Sequence, residues 1–318
     1  MNKYGLSRHI PTSIRREIRQ RSRFGCVVCR CGFYQYEHFD PVFAEAKQHE
    51  ADGICCLCGG CHDSVTRGRL SKATVASAYK NLQTADPQQV GRPIGPLDFH
   101  DGNAELAIGG LLYSPVVRTV LRYHGQNVIS VLPSTIAGEP GGISALFTDD
   151  AGQEVLRLED NEWVGSLESW DIEAVGPRLT VRRARGHICL QLRLDPPGRI
   201  VVEHLDMRIG DGHVLASEQT YAVGRHLDDK LALWVHALIL IRDSSPDGAA
   251  IEFTDAEELE SRHQEYKGKG QELVSASGNI VLHSIAGAMV KPIGIVIAKH
   301  LVWVNLRAAF VRWMKCAR

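Results

Sequence analysis

Two C-x-x-C knuckles constrain this chain more than any other feature. They are Cys26-Val27-Val28-Cys29 and Cys58-Gly59-Gly60-Cys61, with twenty-eight residues between Cys29 and Cys58. Each knuckle offers two thiolates from one tight turn, and two knuckles complete a tetrahedral four-sulfur site for zinc with no open coordination position. Such an ion is structural: it staples a short region that has little core of its own. One knuckle alone would also fit redox chemistry, but a pair flanking a hairpin favours metal. Cys31, Cys55 and Cys56 are extra thiols, and Cys31 is placed to replace Cys29 as a ligand.

Composition sharpens the picture only when it is divided along the chain. The 318 residues carry 36 Lys and Arg against 37 Asp and Glu, a net of −1. That balance gives no global argument for nucleic acid or a membrane surface, and the ordinary apolar content excludes collagen-like, rod-like and fully disordered chains. Residues 1–80 hold 13 Lys and Arg and 7 Asp and Glu, a net of +6, and the remainder has a net of −7. Seven of the nine cysteines lie within the first 61 residues. One end is therefore basic and rich in thiols. The charged start, MNKYGLSRHIPTSIRREIRQ, has no apolar core of the kind a secretory signal needs, so a reducing, cytoplasmic setting is expected. The apolar tail 279–318 is broken by His283, Lys291, Pro292, Lys299 and His300. It falls short of the ~18 uninterrupted apolar residues of a membrane span.

The periodicities predict an α+β chain. A basic helix is expected over 12–23, started by Pro11 and Thr12 or Ser13, with Ile14 and Ile18 on one face. Strands are expected over 33–41 and 54–57, a helix from near Gly60, and another after Ser71 with Val75, Ala78, Tyr79 and Leu82 at helical spacing. Pro87, Pro93 and Pro96 mark 84–98 as a linker. From 99 to 250 the period is two, with turn signals at 149–152, 195–198 and 210–212, which predicts an antiparallel β-sandwich-like domain. Residues 251–318 read as a helical, apolar C-terminal region, with a capping-box spacing at Thr254 and Glu257 opening an acidic helix over 254–267. The expected order is a zinc-stapled domain at 1–83, the linker, the β-rich domain and the tail.

A second set of chemical groups lies around the knuckles. Glu37-His38 sits on the first expected strand and His62 directly follows Cys61. The pattern formed by Arg8, Ile10-Pro11, Arg15, Ile18, Arg21, Cys26, Cys29, Glu37-His38, Pro41, Leu57-Cys58 and Cys61-His62 resembles the HNH (His-Asn-His) nuclease family over residues 8–83. The resemblance implies a ββα-metal fold. It also implies that His38 is the general base that deprotonates the attacking water. Glu37 and His62 would hold a catalytic divalent ion, Mg²⁺ or another. The chain departs from the family at two places. Glu37 stands where Asp is usual, and Gly53 stands where the middle Asn is usual, which implies either that Asp52 or His49 substitutes or that activity is reduced.

The residue chemistry agrees with that implication. Phosphodiester cleavage needs an activated water and a cation that stabilises charge on the phosphate and the leaving oxygen. A neutral imidazole suits the first task and a carboxylate plus an imidazole the second. Consecutive strand residues point to opposite faces, so Glu37 and His38 can serve one site only at a distortion or a strand end. Arg15, Arg16, Arg19, Arg23 and Arg67 offer a sequence-independent grip on DNA phosphates. The expected function is a metal-dependent DNA endonuclease with an effector-like layout, such as defence or mobile elements use. The alternative is a non-catalytic zinc-knuckle module that binds DNA while the β-rich domain does the main work. That β-rich domain is also where a homo-oligomer or protein partner would bind. Trp163 and Trp170 are expected in the core, and Arg182, Arg183 and Arg185 on a solvated strand face.

Overall fold

The structure is a computed structural model. It describes residues 1–86, 90–99, 104–109, 111–113, 119–134, 141–218, 221–227, 230–236, 241–242, 249–253, 274–276, 280–282 and 284–285. The acidic helix expected over 254–267 and most of the tail after 279 lie outside these residues. The described chain is mixed α+β and mostly sheet, with three α-helices. No helix among the described residues is long and apolar enough to cross a membrane.

The chain visits two compact units in alternation. The first comprises Met1–Leu97 and Val155–Ile188, and the described parts of Asp98–Glu154 and of the chain from Cys189 onward form the second. The first unit begins with α1 (Thr12–Arg21), β1 (Gln35–His38), β2 (Ile54–Leu57), α2 (Gly59–Thr66) and α3 (Lys72–Thr84). In α1, Ile18 is fully buried, and the helix ends where Arg23 and Phe24 take left-handed conformations, φ 50° and 62°. The Ser71 hydroxyl accepts the Thr74 N–H at 3.0 Å and caps α3, which buries Val75, Tyr79 and Leu82 at helical spacing.

β1 and β2 pair antiparallel, with Glu37 opposite Cys55 and His38 opposite Ile54. All four residues of β2 are buried because the hairpin lies between two clusters. Cys55 and Leu57 join Cys26, Val27, Phe39, Val75, Tyr79 and Leu82 on one side, and Ile54 and Cys56 join Ile10, Ile18 and Ala51 on the other. Period-two alternation thus sends successive β2 side chains to opposite cores. Cys55 and Cys56 are core residues; burial pushes the Cys56 thiol up to about 12.

The stretch expected as a linker contributes β3 (Ile94–Pro96). It is followed in the second unit by β4 (Glu105–Ile108), β5 (Leu111–Tyr113), β6 (Thr119–Tyr123), β7 (Gln126–Leu132) and β8 (Gly142–Thr148). Then come β9 (Glu154–Glu159), β10 (Glu162–Gly165), β11 (Asp171–Val175) and β12 (Arg178–Ala184), which complete the first unit. β3 pairs antiparallel with β10 and places Gly95 opposite Trp163. Trp163 is fully buried against Gly32 and Gly95, and a Cβ at either glycine would run into its ring. Pro93 and Pro96 punctuate an edge strand here, where a missing N–H is tolerated.

In the second unit β13 (His187–Asp195), β14 (Arg199–Ile209), β15 (Gly212–Ser217), β16 (Tyr221–Leu227) and β17 (Lys230–His236) form an antiparallel meander. The expected turns at 195–198 and 210–212 join β13 to β14 and β14 to β15. β6, β7 and β8 are also antiparallel neighbours. Three pairings among the described residues depart from the antiparallel expectation: β4 runs parallel beside β14, Ala249–Phe253 beside β6, and Ile241–Arg242 beside Ser284–Ile285. Period two reports that a strand has two faces, not which way its neighbour runs.

Candidate functional site

The first knuckle is shaped by Arg30, whose φ of 65° turns the chain back so that its N–H donates to the Cys26 carbonyl at 2.9 Å. The guanidinium donates to the carbonyls of Ser22 at 3.0 Å, Cys26 at 3.2 Å and Gly91 at 2.8 Å, and also to that of Arg23. The second knuckle is the start of α2. Cys58 is its N-cap, and its sulfur accepts the Cys61 N–H at 3.4 Å. Sulfurs of Cys26, Cys29, Cys58 and Cys61 all lie within 4.8 Å of one another. Cys29 Sγ is 3.5 Å from Cys58 Sγ and 3.8 Å from Cys61 Sγ. Zinc–sulfur bonds of about 2.3 Å in a tetrahedron put sulfurs about 3.8 Å apart, so this donor set fits such an ion. Among the described residues these four form the one group of three or more potential ligands gathered that closely. Cys31 is outside it, with its thiol directed at the Phe33 carbonyl at 3.5 Å, so Cys29 keeps its place.

Burial lifts the Cys29 thiol to about 11, whereas Cys58 is lowered. Burial would raise Cys58 as well, but the Cys61 N–H and the neighbouring thiols favour its thiolate.

Glu37, His38 and His62 line one cleft of ≈ 370 Å³ with Arg8, Arg15 and Phe43. His38 is the last residue of β1, so a strand end lets two consecutive side chains reach the same space. Glu37 Oε2 is 3.0 Å from His62 Nε2. Its other oxygen is bound by Lys72, the first residue of α3, whose ammonium also donates to the His38 carbonyl at 2.6 Å. Burial lowers the Lys72 pKa.

The His38 ring is 8 % exposed as a residue and packs edge-on against Phe43, centroids 5.2 Å apart. Burial first, then the neighbouring His49 and Arg8, holds its pKa down at about 4. The ring is therefore neutral at physiological pH, the state a base requires. Its Nε2 lies 3.1 Å from His49 Nδ1, and His49 Nε2 lies 3.0 Å from the Ser7 carbonyl.

Gly53 cannot become Asn without movement, since a Cβ there would run into the Asp40 carbonyl. Asp52 is exposed and paired with Arg21. Of the two possible substitutes for the missing Asn, His49 is the one that contacts His38.

The five expected phosphate-gripping arginines are in different situations. Arg15 lines the cleft, with its Nε buried and without a hydrogen-bond partner. Arg16 stacks on Trp170, its guanidinium carbon 3.4 Å from the ring centroid. Arg67 pairs with Asp63 at 2.7 Å one turn back, and Arg23 follows the end of α1. Arg19 needs correction: it is 1 % exposed and committed to protein carboxylates, so it is not on an outward face. It grips Asp171 through two bonds, 2.8 and 2.7 Å, and reaches Glu173 at 2.8 Å. Burial alone would lower its pKa, but the Asp171 hydrogen bond and nearby oxygens raise it. Arg182, expected on a solvated strand face, bonds the same two carboxylates at 3.1 and 3.0 Å.

Sequence reasoning missed Lys72, whose place depends on a contact 35 residues away, and the part of Arg8 as a cleft cation stacked on Phe43 at 4.8 Å. It also missed a polar chain in the second unit, where buried His213 bridges Asp206 at 2.8 Å and His226 at 2.9 Å.

No protein-family model, curated protein or solved structure matches this chain.

Proposed function

We propose that the chain is a metal-dependent endonuclease of the HNH type acting on DNA, with a structural zinc ion held by Cys26, Cys29, Cys58 and Cys61. The observation that carries the reading is the shared cleft of Glu37, His38 and His62, with Glu37 and His62 in contact at 3.0 Å and two arginines beside them. A carboxylate and an imidazole are suitable ligands for a divalent ion, and two protein ligands leave positions for water and phosphate oxygens. A divalent ion there, Mg²⁺ or another, supplies charge stabilisation at the phosphate and the leaving oxygen.

The chain's own groups do the rest. His38, neutral and buried at one wall of the cleft, takes the proton of the attacking water. Arg8 and Arg15 draw a phosphate into the cleft by charge, without reading bases. Lys72 holds Glu37 in place through an ion pair and balances its charge. The four thiolates set the start of α2 against the hairpin, and so set His62 against Glu37.

Nicking of supercoiled plasmid with Mg²⁺ or Mn²⁺ tests the reading. Wild type is expected to cut and His38→Ala to lose at least about 10²-fold in rate, the usual worth of a general base. DNA binding with equal inertness of both proteins would instead make the chain a binding module.

A further inference from the structure

The segment that precedes α1 is tied down rather than trailing. Asn2 donates from its side chain to the carbonyls of Phe43 at 2.7 Å and Ala46 at 2.6 Å, and its Oδ1 accepts the Leu6 N–H at 3.0 Å. This arm brings the Ser7 carbonyl to His49, 42 residues away in sequence. His49 is half-buried between that carbonyl and His38.

The chemistry of a carbonyl then dictates where protons sit. A carbonyl oxygen only accepts, so His49 Nε2 must carry its proton and donate it to Ser7. With both rings neutral, His49 Nδ1 is then bare and accepts, and the hydrogen bond at 3.1 Å is donated by His38 Nε2. His38 is left with a bare Nδ1 as its one basic nitrogen. Phe43 packs edge-on against the same ring and limits its rotation.

We infer that His49 is a positioning residue for His38: the Ser7 carbonyl, His49 and His38 form a relay that fixes the His38 ring in its Nε2–H tautomer and presents Nδ1 as the base. Its catalytic consequence rests on the nuclease reading; the tautomer does not. A group that orients a catalytic imidazole affects turnover far more than substrate capture, because the wrong tautomer cannot accept the proton. His49→Leu removes both ends of the relay in a side chain of comparable size. In His49→Gln the amide oxygen can accept from His38 and the amide nitrogen can donate to Ser7.

The test combines ¹⁵N NMR of the histidine rings in Mg²⁺ with plasmid cleavage by wild type, His49→Leu and His49→Gln, using His38→Ala to assign the His38 signals. The expected result is a protonated Nε2 and bare Nδ1 on His38 in wild type. Along with it, His49→Leu should lose about 10²-fold in kcat with KM unchanged, and His49→Gln should recover most of that loss. Thermal melts check that both variants are folded. A protonated Nδ1 on wild-type His38, or His49→Leu cutting as fast as wild type, overturns the inference. A wild type that cuts nothing yet shows the expected tautomer overturns the nuclease reading and keeps the relay.

Discussion

Arg19 and Lys72 are the two cations whose environments most change how this chain is understood. Arg19 is buried with Asp171, and side-chain exposure on both is 2 %. Taking both charges from water is costly, and bidentate geometry with added bonds to Tyr36 and Glu173 offsets that cost. Removing one partner leaves the other charge stranded. Asp171→Ala is therefore expected to destabilise the first unit by about 3–5 kcal/mol in urea unfolding, far more than loss of an exposed ion pair. Lys72 poses the opposite situation, since its ammonium pairs with an oxygen of Glu37, the carboxylate that on the nuclease reading would hold a divalent ion. On the nuclease reading, Lys72→Met frees that oxygen. The half-saturating Mn²⁺ concentration in calorimetry is expected to fall by roughly tenfold, the effect of removing one competing charge at contact distance.

Elements were legible where local rules decide them. The Ser71 cap, the apolar spacing of α3 and the alternation of β13 and β14 each arise from neighbours within a few residues, and the expected elements match the observed ones. The knuckles were legible because metal ligation fixes residue type and spacing together. What was not legible depends on distant partners. The charges of α1 look like a solvated basic face, yet Arg19 and Arg16 turn to Asp171 and Trp170, both about 150 residues on. Sequence periodicity places Arg19 beside Ile18 without saying what packs there. The Pro-rich stretch before residue 98 looks like a linker because prolines disfavour regular structure, but edge pairing with β10 needs few donors. The sequence singled out the residues of the proposed site, Glu37, His38 and His62, and Arg8 as part of the resemblance, while Lys72 had no local signature. For the knuckles, elemental analysis is expected to find about one zinc per chain. Cys58→Ser removes both a ligand and the cap of α2, and is expected to abolish cooperative melting of the first unit by circular dichroism.

At the scale of the whole molecule, the first unit is assembled from two separate stretches of chain. A fragment ending at residue 98 would contain the knuckles and the cleft but lack Val155–Ile188. It would bury Arg19 without Asp171 or Glu173 and leave Gly32 and Gly95 without the Trp163 ring between them. Such a fragment is expected to show poor amide dispersion in NMR even with zinc supplied, whereas the longer chain gives a folded spectrum. The order of synthesis has a bearing on this. Arg19 leaves the ribosome 152 residues before the carboxylate that neutralises it. Until that point the segment bearing the cleft is expected to stay immature on the nascent polypeptide, as the fragment ending at residue 98 would. On the nuclease reading, a half-made copy would leave nearby nucleic acid uncut, and the timing of translation would itself act as a safety catch.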